Sequence, residues 1–184
     1  MRSFIAINLP EVVKDEIGEI IERLKTSGTP ARWVPAGNLH VTIKFLDEID
    51  PEQVGPILGA ITLAKTETVP FDLRLSGFGF FPNPNKARVF WVGIDSGFET
   101  LRVLAKNIDR EVHTLGFQRE ARPFAAHITL ARMREPGPVE RLARAASHIS
   151  YQSGPIKVSK IDLMKSVLSP KGAAYSILGS VSLG

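Results

Sequence analysis

The chain contains no cysteine. That excludes a disulfide framework, a thiolate nucleophile and any zinc site with cysteine ligands, and it points to a reducing compartment, the cytoplasm. Long apolar runs are missing too. The opening stretch Phe4 to Leu9 is stopped by Pro10, too short for the apolar core of a signal peptide and far short of a membrane span, so no membrane partner is expected. Neither H-E-x-x-H nor G-x-x-x-x-G-K-[ST] nor G-x-G-x-x-G occurs, and Gly77-Phe78-Gly79 lies within a strand pattern. Zinc, P-loop and dinucleotide chemistry therefore lack support, and the expectation is no metal and no cofactor. A strong charge of one sign is absent as well: 23 Lys and Arg against 19 Asp and Glu leave +4. This mild basic excess suits an anionic partner without identifying one.

The 184 residues, 23% of them charged, carry 13 prolines and 15 glycines spread along the chain, which fits one sizeable globular domain over 1–184. Two of the four histidines stand in the same short phrase, His40-Val41-Thr42-Ile43 and His127-Ile128-Thr129-Leu130. On a strand, residues two apart share a face, so each phrase presents an imidazole and a hydroxyl side by side while the apolar residues turn to the core. A given histidine meets this pattern by chance about one time in a hundred. One such strand reads as a half-buried, hydrogen-bonded histidine; two among four histidines point to a site. His113 and His148 lie in helical patterns without such a phrase and read as structural or surface residues.

The pattern around the phrases repeats. Strand Ser3 to Asn8, helix Glu11 to Thr26, strand Asn38 to Leu46, helix Pro51 to Ala64 and strand Phe71 to Phe80 make a β-α-β-α-β order. It returns as strand Arg88 to Ile94, helix Phe98 to Leu115, the second phrase, helix Val139 to Ile149 and strand Ile156 to Leu168. The repeats span roughly 3–81 and 88–168, and a last strand at 174–183, after the turn Ser169-Pro170-Lys171-Gly172, completes a hairpin. The expected architecture is α+β: two similar lobes related by a pseudo-twofold axis, mostly antiparallel sheets lining a central cleft, helices outside. His40 and His127 would face each other across that cleft.

An imidazole titrates near 6.5, so at neutral pH one can take a proton while its partner gives one up, as in-line displacement at phosphorus requires. The two threonine hydroxyls beside them can hold non-bridging phosphate oxygens as charge builds. Lys44 shares the face of His40 and Thr42 by strict alternation, where a cation would lower that imidazole's pKa; a solvated lysine is the other reading.

The paired H-x-T-x phrases, with Phe4-Ile5-Ala6-Ile7, Asn38 to Leu46, Arg88 to Gly93, Arg122 to Arg132 and the ending around Ser166, Gly172 and Tyr175, resemble the 2H phosphoesterases. Within them the chain is similar to RNA 2',3'-cyclic phosphodiesterases, also called 2'-5' RNA ligase-like proteins. The resemblance implies hydrolysis of a terminal 2',3'-cyclic phosphate on RNA to a 2'-phosphate, with 2'-5' ligation as the reverse activity. It implies His40 and His127 as acid and base, Thr42 and Thr129 as phosphate contacts, Arg132 as a further phosphate clamp and Phe45 as a stacking surface for the terminal base. Two positions depart from relatives, which often carry proline where this chain has Ala126 and glycine where it has Asp47.

Alternation alone puts Phe45 and Arg132, each five residues past its histidine, on the opposite face; a bulge would reconcile this. Core packing for Phe45 and a solvated strand end for Arg132 remain open. The expected partner is RNA or an oligonucleotide with a cyclic phosphate end, bound by a monomer. A non-catalytic RNA-end binder, or a phosphodiesterase for small cyclic nucleotides or 2'-5' oligoadenylates, are the alternatives. Arg32, Lys86, Arg88, Arg119 and Arg122 would form an RNA track or simply face solvent.

Overall fold

The computed structural model describes residues 1–170 and 172–184. Along the chain come β1 (Arg2–Asn8), α1 (Glu11–Lys25), β2 (Ala31–Trp33), β3 (His40–Glu48), α2 (Val54–Ala64), β4 (Phe71–Phe81) and β5 (Ala87–Ser96). They are followed by α3 (Phe98–His113), β6 (His127–Gly137), α4 (Glu140–Ser147), β7 (Ile156–Val158), β8 (Lys160–Ser169) and β9 (Gly172–Ser182). The strands pair antiparallel in two sheets, ordered β3-β1-β8-β9 and β2-β6-β5-β4-β7. This is the α+β class that the sequence patterns predict.

The helices form where apolar residues recur every three to four positions. α1 buries Val13, Ile17, Ile20, Ile21 and Leu24, and α3 buries Leu101, Leu104, Ala105, Ile108 and Val112. Asp50 and Gln53 form a capping box on a single 3-10 turn at Pro51–Gln53, so the helix expected from Pro51 becomes α-helical only at Val54. One continuous cluster of buried side chains joins Ile5 and Val41 of the first sheet to Leu75, Phe90, Val92 and Ile128 of the second.

The sheets exchange strands. If the first β-α-β-α-β unit supplies β1, β3 and β4 and the second β5, β6 and β8, the orders β3-β1-β8 and β6-β5-β4 correspond strand for strand. Each sheet thus takes the two strands around its motif from one unit and its third strand from the other. The stretch expected as one strand from Ile156 to Leu168 is broken at Ser159. β7 pairs with β4 in the second sheet, while β8 crosses to pair with β1 and β9 in the first. The β8–β9 hairpin is present, with Ser169 opposite Gly172; Lys171 of its turn lies outside the described residues. β2 is an addition that three residues could not announce by periodicity. Asp47, where relatives often have glycine, is the one non-glycine with positive φ (56°) among the described residues, a conformation aspartate tolerates better than most side chains.

Candidate active site

Both motif strands begin on their histidine and break their alternation at the same place. In β3, His40 and Thr42 are half-buried at one face while Val41 and Ile43 are buried at the other. β1 pairs Ala6 with Thr42 but Ile5 with Lys44, so Ile43 is an extra residue, a bulge. Lys44 is thereby turned to the core face and Phe45, opposite Phe4, is returned to the face of His40, 53% exposed. In β6 the pairs Trp91–Thr129 and Phe90–Ala131 leave Leu130 as the extra residue. Leu130 and Ala131 are both buried, and Arg132, opposite Val89, comes out exposed on the face of His127 and Thr129. The bulges reconcile alternation with cleft positions for Phe45 and Arg132.

Lys44 is the correction. Strict alternation places it beside His40 and Thr42, whereas its ammonium is buried on the other face. There it donates to Asp109 Oδ1 and the Gln118 carbonyl, each at 2.7 Å, with Glu120 3.9 Å away. Lys14 of α1 is the lysine whose charge reaches His40.

The imidazoles are held alike. His40 Nδ1 lies 2.7 Å from the Asn38 carbonyl and His127 Nδ1 2.7 Å from the Ala125 carbonyl, in each case two residues back. A carbonyl only accepts, so Nδ1 carries the proton and Nε2 is left for chemistry. His40 Nε2 meets Thr42 Oγ1 at 3.0 Å; among the described residues nothing hydrogen-bonds His127 Nε2. Burial is the main cause that lowers both imidazoles below 6.5; the carbonyl bonds oppose it, and the Arg132 charge lowers both further. His40 also senses Lys14 and His127. The two motifs, from different sheets, therefore share one electrostatic neighbourhood, with Arg132 acting on both.

Aromatic rings wall each imidazole. The ring centroids of Phe4 and Tyr175 lie 4.8 and 5.4 Å from that of His40, and those of Phe81 and Trp91 lie 5.0 and 6.4 Å from that of His127. Trp91 lies across Gly79, where a Cβ would fall 2.1 Å from the indole, so only glycine leaves room for it. These rings and the two carbonyls escape sequence reasoning, because each depends on a partner distant in the chain or on the main chain. His113 is an exposed residue at the end of α3, bonded to the Phe117 carbonyl at 2.9 Å, and His148 is exposed after α4. Among the described residues no group of three or more His, Cys, Asp or Glu is placed to hold a metal ion, and no helix is long and apolar enough to cross a membrane.

A model of the LigT-like phosphoesterases matches residues 7–91 and again 92–175. The chain belongs to the LigT-like phosphoesterase family. Its relatives include proteins named RNA 2',3'-cyclic phosphodiesterase in Methanocaldococcus jannaschii, 34% identical with 97% of this chain and 98% of the relative covered, and in Thermotoga maritima, 32% identical with 97% and 93% covered. Among solved structures, a Thermus thermophilus protein superposes with a TM-score of 0.79 at 30% identity, covering 100% of this chain and 98% of the other. Escherichia coli LigT, solved with NADP+, gives 0.70 at 26% identity, covering 99% and 96%. The family assignment agrees with the paired phrases that first single out the cleft.

Proposed function

We propose that this protein hydrolyses the 2',3'-cyclic phosphate at the end of an RNA chain to a 2'-phosphate, with His40 and His127 as acid and base and without a metal ion. The observation that carries the reading is the matched pair of imidazoles. Each has Nδ1 pinned by the carbonyl two residues back, and both stand within the field of one guanidinium. The names of the relatives in M. jannaschii and T. maritima favour this substrate over other phosphodiesters.

In the proposed step water attacks phosphorus in line with O3'. His127, whose Nε2 has no hydrogen-bond partner among the described residues, enters neutral at Nε2 and takes a proton from the water; the P–O3' bond breaks, and His40, which enters as the imidazolium with Nε2 protonated as well as Nδ1, gives the Nε2 proton to O3'. Thr42, Thr129 and Arg132 hold the non-bridging oxygens, the guanidinium being able to take two at once. Phe45, exposed on the His40 face, offers its ring to the terminal base. A 5'-hydroxyl attacking in place of water would give a 2'-5' linkage, so ligation uses the same groups. We take the protein to act as a monomer in the cytoplasm, the compartment its lack of cysteine suits.

The test is incubation of the purified protein with an oligonucleotide ending in a 2',3'-cyclic phosphate, with EDTA present, and identification of the product isomer. A 2'-phosphate is expected. Tight binding without turnover would make the protein an RNA-end binder, and strict metal dependence would refute the mechanism.

A further inference from the structure

Beside His40 the first sheet opens into a cavity of about 450 Å³ lined by Lys14, Lys157 and Lys160 together with Asn8, Asn38 and Tyr175. This is within the range of roughly 300–1,000 Å³ typical of small-molecule sites. It is continuous with the wall of the active site: Asn38 supplies the carbonyl that holds His40 Nδ1, and the Tyr175 ring packs against the same imidazole. We infer that this cavity is a second anion subsite, which receives the phosphodiester one nucleotide inside the RNA from the reacting end; the inference rests on the function proposed above.

The charges support it. Lys14 is 8% exposed, and its partner is Glu11 at 2.9 Å, a carboxylate whose own side chain is 79% exposed. A buried ammonium so weakly compensated gains from a second anion. Lys160 faces Asp162 at 3.4 Å, but Asp162 is fully buried and already accepts from Asn8 and Ser180. Lys157 is exposed at the rim. Against three lysines the lining carries one acid, Glu11. With one phosphate between His40 and His127, a nucleic acid carries its next negative charge one nucleotide along the backbone, and this lysine-lined wall adjoins His40. Lys14 lies close enough for its charge to be felt at that imidazole, which ties the two anion positions together.

The experiment compares kcat/KM for three substrates: a nucleoside 2',3'-cyclic phosphate with a free 5'-hydroxyl, the same nucleoside bearing a 5'-phosphate, and a dinucleotide ending in the cyclic phosphate. The protein is used unchanged and as Lys157→Ala/Lys160→Ala, two lysines outside the core. The expected result is that the dinucleotide exceeds the 5'-hydroxyl nucleoside and that this ratio drops by about three- to tenfold in the variant. In the unaltered protein the ratio should fall as salt is raised, because the contact that sets it is ionic and partly solvent-exposed. A ratio unchanged by the substitutions, or one insensitive to salt, overturns the subsite. A gain confined to the 5'-phosphate nucleoside overturns the RNA assignment in favour of free nucleotides. Failure to turn over any of the three overturns the hydrolytic reading itself, and the subsite with it.

Discussion

Replacing Asp109 by alanine tests whether the buried ion network beneath the first motif strand holds the fold together. Lys44, with a side chain 2% exposed, depends on Asp109 Oδ1 at 2.7 Å, and Asp109 also accepts from Arg119 Nε at 2.7 Å and from the Glu120 backbone at 3.1 Å. Removing one partner of a buried pair costs about 3–5 kcal/mol, because the other charge is stranded. The Gln118 carbonyl and the Glu120 carboxylate remain near Lys44, so the lower end, about 3 kcal/mol, is expected. For a chain of this length that is a fall of roughly 6–12 °C in Tm. Urea unfolding followed by the fluorescence of Trp33 and Trp91 reads it. Adding Lys44→Met should recover much of the loss, since no charge is then left orphaned.

The same network carries a pH signature. Burial acts to raise the Asp109 carboxyl, but the bonds from Lys44, the Glu120 backbone and Arg119 outweigh it and hold the group below its ordinary 3.8. The unfolded chain therefore binds the proton first. The stability that Asp109 contributes is present in full above 3.8 and disappears as the pH falls through its lower folded value. The gap between the unaltered protein and Asp109→Ala should accordingly narrow below about pH 4. A loss under about 1 kcal/mol at neutral pH, or a gap that stays constant through acid, would refute the argument.

Three further outcomes follow from the cleft. Since both imidazoles lie below 6.5, kcat/KM should peak on the acid side of 6.5; His127→Ala should remove the acidic limb and His40→Ala the alkaline one, each costing roughly 10²–10⁴ in rate, and the reverse pattern would exchange the two roles. Arg132→Lys keeps the charge but not the two-pronged grip, so kcat should fall by at least about tenfold, whereas an unchanged rate would return Arg132 to the status of a solvated strand end. Gly79→Ala drives a methyl group into the Trp91 ring and should cost about 1–3 kcal/mol with a shift in indole emission; native emission and stability would show that the ring is not seated on Gly79.

What the sequence makes legible is what lies close along the chain. The alternation of His40 to Ile43 and His127 to Leu130 carries over directly into β3 and β6. Of the apolar stripe that helical spacing predicts from Leu101, Leu104, Ile108, Val112 and Leu115, the first four are buried in α3, while Leu115 lies beyond the end of the helix at His113 and is exposed. Strand exchange is invisible to such reading, because local pattern cannot say whether β4 pairs within its own unit or beside β5. A trace of the break at Ser159 does exist. Ile156 and Val158 keep one phase and Ile161 and Leu163 the other, and a phase slip inside a strand is the mark of a change of sheet or a bulge. Lys44 carries the same kind of signal. A charged residue next to Ile43 reads as solvent-facing until Asp109, 65 positions away, supplies its partner.

The two bulges matter most for the chemistry, because they preserve the pseudo-twofold symmetry and then break it. By strand pairing, Phe4 opposite Phe45 corresponds to Val89 opposite Arg132, Ala6 opposite Thr42 to Trp91 opposite Thr129, and Asn8 opposite His40 to Gly93 opposite His127. The histidine and threonine positions are alike in both halves, so the symmetric part of the site can serve either direction of proton transfer. At the position after each bulge the chain places a phenyl ring in one half and a guanidinium in the other. A cyclic phosphate has no symmetry to match; one side of it is a nucleoside and the other is open to the attacking oxygen. A ring at the His40 end and a cation at the His127 end would orient such a substrate one way round, with the leaving O3' towards His40 and the water towards His127. In this view the duplicated frame supplies the paired imidazoles, and the inequivalent pair that follows the bulges, Phe45 and Arg132, orients the substrate and so sets which of them acts as acid.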